Sequence, residues 1–125
     1  MIRLALASIL FSACTSTAET GASCPPTGAP TYASFGRAFF ARFCTGCHSR
    51  SATSRHGAPT DQNYDSEDDV RANAFAIDRE AAAGPGATNT DMPDMSGPVH
   101  TPPTHDEREL LGQFLACERA QRPTE

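Results

Sequence analysis

Four phenylalanines set the first pattern in the chain. Phe35, Phe39 and Phe43 recur at i, i+4 and i+8, with Phe40 beside them. That period lays the rings along one helical stripe and predicts a helix over Tyr32–Phe43. A second helix is predicted over Asp65–Ala83, where Val70, Ala74, Ile77 and Ala81 form the apolar stripe. Ser66 and Asp69 can cap its start, and Gly84-Pro85 is expected to stop it. The third predicted helix is His105–Ala120, opened by a Thr104/Glu107 capping box and burying Leu110, Leu111, Phe114, Leu115 and Cys117. Ser49–Tyr64 is polar and irregular, and Gly84–Pro103 is a long Gly/Pro-rich loop. Loops of that length without structure are usually functional or disordered. No strand alternation and no repeat appears, so the fold class is all-α, with about three main helices.

The ends carry different information. Met1–Ala13 has Arg3, an apolar run from Leu4 to Phe11 and then small residues, the layout of an export signal. It is too short for a spanning helix. Two endings are open: a lipobox-like Leu10-Phe11-Ser12-Ala13-Cys14, which makes Cys14 a lipidated N-terminus, or cleavage after Ala18. Residues 14–30 read as a flexible tether, 31–121 as the folded domain and 122–125 as a C-terminal tail. The expected location is outside the cytosol, in the periplasm, with a membrane anchor if Cys14 is lipidated.

Five cysteines then sort themselves. Cys44 and Cys47 belong to Cys44-Thr45-Gly46-Cys47-His48, a C-x-x-C-H run that is the attachment signature of c-type haem. Two thiols at that spacing can add to the two vinyl groups of one porphyrin, which leaves the adjacent His48 to bind the iron. A dithiol redox pair normally follows a strand, and none precedes this one. A zinc site would need a fourth ligand that no second C-x-x-C supplies. Cys24 and Cys117 remain, an even pair in an oxidising compartment, and are expected to form one disulfide between the ends of the domain.

Charge adds a modest refinement. The net charge is −5, yet residues 20–60 hold Arg37, Arg42, Arg50 and Arg55 with no acid. That segment brackets the haem motif, so it either neutralises propionates, orients an acidic partner or merely decorates the surface. No basic cluster with interleaved aromatics is present, so nucleic acid is not an expected partner.

Beyond the pentapeptide, the chain resembles the class I cytochrome c family over about residues 32–120. Gly36, Phe40 and Cys44 match the family's spacing of small residue, aromatic and first haem cysteine. The resemblance implies that the glycine lets the last helix cross the first closely, at Leu111 and Phe114. It implies a proline carbonyl accepting the ring N–H of His48, a role for which Pro59 is placed. It also implies an axial methionine in the loop before the last helix. Met92, in Met92-Pro93, is the match and Met95 the runner-up; His56, His100 and His105 are the spare imidazoles. The chain departs from the family in having Phe114 where Tyr or Trp is common, and it has no Trp. Arg50, Arg55, Asn63 or Tyr64 would have to replace a tryptophan's bond to a propionate.

The expected cofactor is therefore one covalent haem c with His48 proximal and Met92 distal. The expected role is electron carrier rather than enzyme, passing electrons among redox proteins of the bacterial envelope. If the sixth position is labile, the alternative is a gas or redox sensor, or a haem subunit of an oxidoreductase. A core this thin needs a large apolar object inside it, so the haem-free chain is expected to fold poorly.

Overall fold

The computed structural model describes residues 17–122; the expected signal segment and Cys14 lie outside them, as do residues 123–125. Four α-helices follow a single π-helical turn: α1 Arg37–Phe43, α2 Glu67–Ala72, α3 Ala74–Ala81 and α4 His105–Ala120. No strand occurs among the described residues, only an isolated bridge between Ala83 and Thr88. The all-α expectation holds at that level. No helix among these residues is long and apolar enough to cross a membrane.

The first predicted helix is present but opens as a π-helix over Tyr32–Gly36. Thr31 and Ser34 close a capping box there, and Gly36 N–H bonds Thr31 O at 3.1 Å, five residues back. The second predicted helix is two helices. Asn73 sits at φ −107°, ψ 11°, and its amide donates to Asp69 O at 2.8 Å. That side chain competes with the helical ladder and breaks it. The apolar stripe survives the break, since Val70, Ala74, Ile77 and Ala81 are all buried. The stop comes at Ala82, which turns extended before Gly84-Pro85 is reached.

The last helix has its predicted bounds and its Thr104/Glu107 box. Leu111, Phe114, Leu115 and Cys117 are buried, but Leu110 is 41% exposed. Its expected inward place is corrected: Arg108, at the i−3 position of Leu111, takes the buried side instead. Phe114 packs against Gly36, where a Cβ would stand 2.9 Å from Phe114 Cζ. This is the close crossing of the first and last helices that the family resemblance implied.

Residues 17–30 are not a free tether. Thr20 is fully buried and donates to the Asp78 carboxylate from its backbone N (2.8 Å) and its Oγ1 (2.6 Å). Cys24 is disulfide-bonded to Cys117 of α4, as the cysteine count predicted. This segment is thus fastened to α3 and α4, and a composition of Thr, Ser, Gly and Pro concealed that.

Candidate functional site

A cleft of about 410 Å³ opens between α1, the loop after it, α3 and the loop before α4. Its walls are mostly apolar, with Phe39 and Phe43 from α1, Ile77 and Ala81 from α3, and Pro98 and Val99 from the distal loop. Cys44, Cys47, His48 and Met92 all line it, although 44 residues separate His48 from Met92. Met92 packs against the core, whereas Met95 is 47% exposed and off the cleft. Of the two methionine assignments, the geometry favours Met92.

The C-x-x-C-H run leaves α1 as a turn, with His48 N–H on Cys44 O at 2.8 Å. Cys44 and Cys47 are free thiols. Burial pushes the Cys44 thiol up to about 12, and burial with the nearby Asp94 charge also raises Cys47. Reactive dithiols have lowered, not raised, pKa values, so the redox-pair alternative lacks its electrostatics. The zinc alternative lacks its donors. Among the described residues no three His, Cys, Asp or Glu side chains stand together as a metal-binding group. A haem iron needs no such group from the chain, since the porphyrin supplies its equatorial nitrogens.

His48 is 8% exposed, and its Nδ1 lies 3.0 Å from Gln62 O. A carbonyl can only accept, so Nδ1 carries the proton and Nε2 keeps the lone pair a metal would use. Burial lowers the His48 pKa, outweighing the Gln62 bond, so the ring is held neutral. Tyr64 stacks on it at 4.5 Å between centroids and 18° between planes. This corrects the role expected of Pro59. Pro59 lines the cleft, but its carbonyl accepts from Arg55 Nη2 at 2.6 Å, and Gln62 holds the histidine.

Arg55 organises that loop. It donates to Ser49 O, Asn63 Oδ1, Pro59 O, Gln62 O and Ala58 O over distances from 2.6 to 3.3 Å. Of the four residues considered as substitutes for a tryptophan, Arg55 and Tyr64 line the cleft. Asn63 is tied to Arg55, and Arg50 turns away to Asp65 and Asp69. Two of the four arginines of the basic segment are thus paired with acids, Arg50 and also Arg42, 3.5 Å from Glu107. Of the spare histidines, His100 and His105 are exposed away from the cleft, and His56 is exposed on its rim.

Sequence reasoning missed Gln62, which acts through its main chain and leaves no signature. It also missed Arg108, whose signal was present: positions 108, 111 and 115 share the buried stripe of α4. The residues fit a haem on three counts. The two thiols and the histidine front one apolar cleft, the histidine has the ligand tautomer, and a thioether faces from the far loop. Comparison with family models, curated proteins and solved structures gives no match to this chain.

Proposed function

We propose that the chain is a monohaem c-type cytochrome with a small cytochrome c fold, exported to the bacterial envelope and acting there as an electron carrier. The observation that carries this reading is the convergence of Cys44, Cys47, His48 and Met92 on one apolar cleft. When bound there, a haem ligated by an imidazole and a thioether supplies a one-electron ferric/ferrous couple with no vacant site for substrate.

Each residue has a distinct task. Cys44 and Cys47 tether the group through their sulfurs. His48 presents Nε2 while Gln62 fixes its Nδ1 proton, and Tyr64 limits rotation of the ring. Met92, from the loop before α4, would offer the iron a soft, neutral thioether. Phe39, Phe43, Ile77 and Val99 exclude water and lower the local dielectric constant. Docking to redox partners over such a cleft edge needs only a small, transient interface. Lipidation of Cys14 would add a membrane anchor.

The test uses protein produced with a c-haem maturation system. After denaturation and removal of non-covalent haem, the pyridine haemochrome spectrum is recorded. One c-type haem per chain, lost in Cys44→Ala/Cys47→Ala, is the expected result. A porphyrin-free wild-type chain, made beside a positive-control cytochrome, would sink the proposal.

A further inference from the structure

Arg108 is 4% exposed, and a guanidinium is costly to bury without an acid beside it. Among the described residues the ion pairs belong to Arg42, Arg50, Arg71, His105 and Arg119, not to Arg108. Its Nη1 instead lies against three carbonyl oxygens: Ala81 at 2.6 Å, Asn89 at 2.9 Å and Met92 at 2.9 Å. Ala81 ends α3, and Asn89 and Met92 belong to the loop before α4. Other bonds pin the same segment. Met92 N–H donates to Glu80 O at 2.8 Å, and Asn89 N–H donates to Ala82 O at 2.8 Å. Arg108 O in turn accepts from Ala83 N–H at 2.9 Å. The Met92 backbone is therefore held at both its N–H and its carbonyl, with a buried charge on the carbonyl side.

We propose that Arg108 is a positioning residue for the sixth ligand. By clamping the Met92 carbonyl to the end of α3, its guanidinium holds the Met92 thioether in the cleft against displacement by competing ligands. This rests on the haem reading of the cleft and deepens it. The clamp makes the site a closed carrier rather than an open sensor. Met95, three residues on and 47% exposed, has no equivalent hold.

The experiment compares wild-type holoprotein with Arg108→Lys and Arg108→Gln. Covalent haem is first confirmed in each by haemochrome. Imidazole is then titrated into the ferric proteins while the methionine-to-iron charge-transfer band is followed. Because all three carbonyls meet on Nη1, lysine keeps the charge and enough donors but is one bond too short to place them there; glutamine is uncharged and shorter still. Both variants are expected to bind imidazole about tenfold or more tightly than wild type, the scale of a lost charged hydrogen bond. Their methionine band should weaken in parallel. If Arg108→Gln does not fold, Arg108→Lys decides. Wild-type affinity and band in Arg108→Lys would overturn the clamp, even with Arg108→Gln altered, because a charge held short of the three carbonyls would then suffice. A wild-type protein with covalent haem but no methionine band would also overturn it and leave the haem reading intact. A wild-type protein without covalent haem would overturn both.

Discussion

A single guanidinium does much of the organising around His48. Arg55 reaches five acceptors in residues 49–63, one of them the Gln62 carbonyl that also receives His48 Nδ1. Arg55→Gln leaves several of these groups without partners, so it should cost about 2–4 kcal/mol in urea unfolding. It should also free the His48 ring, seen as faster exchange of the Nδ1 proton by NMR. Pro59→Ala provides the contrast. The Pro59 carbonyl serves Arg55, and alanine keeps a carbonyl there, so the change should be under about 1 kcal/mol, with the His48 ring signals unmoved. A large shift of those signals in Pro59→Ala would return the histidine contact to the proline.

Among the elements, what was legible in the sequence was what is settled within one helical turn. The boxes at Ser66 and Thr104 form as their spacing indicates, because cap and partner lie three residues apart. The break at Asn73 was not legible, since an asparagine can serve solvent or its own backbone and only the folded path decides. The exposure of Leu110 was hidden for a related reason: Arg108 claims the inner face of α4 through carbonyls far off in sequence. The cleft's cysteines and histidine could be read because C-x-x-C-H is local, whereas Met92 came only through the family resemblance, which implies a methionine in the loop before the last helix.

The crossing of α4 over the first helix is tight enough to test. Gly36→Ala would put a Cβ 2.9 Å from Phe114 Cζ and 3.0 Å from Tyr32 Cδ2, and should destabilise by about 1–3 kcal/mol in thermal melts. At α2, Arg50 and the Ser66 hydroxyl hold the Asp69 carboxyl down at about 2, against an ordinary 3.8. A depressed carboxylate contributes its stability in full above its unfolded pKa. That contribution is lost as pH falls through the folded one. Stability should therefore decline between about pH 4 and pH 2 through this residue, and Asp69→Asn should flatten that part of the melting-temperature profile.

At the scale of the whole molecule, the Cys24–Cys117 bond spans 93 positions and ties the N-terminal segment to α4. Cys117→Ser should lower stability by about 3–5 kcal/mol, read from urea midpoints, since long loops have most closure entropy to lose. The same bond places opposed demands on one polypeptide during its maturation. Cys24 and Cys117 must surrender electrons to pair, while under the proposed haem attachment Cys44 and Cys47 must keep theirs to add to vinyl groups. Four thiols allow six single disulfides, and all but 24–117 would consume Cys44 or Cys47. Sorting thus falls to the fold: Cys24 meets Cys117 of α4, while Cys44 and Cys47 stand apart on the cleft. Chain made in an oxidising compartment without haem should therefore carry 24–117 as its main disulfide, read by mass spectrometry of its non-reduced peptides. A 44–47 disulfide as the main product would mean that assembly of this protein depends on a reductant reaching the site before oxygen does.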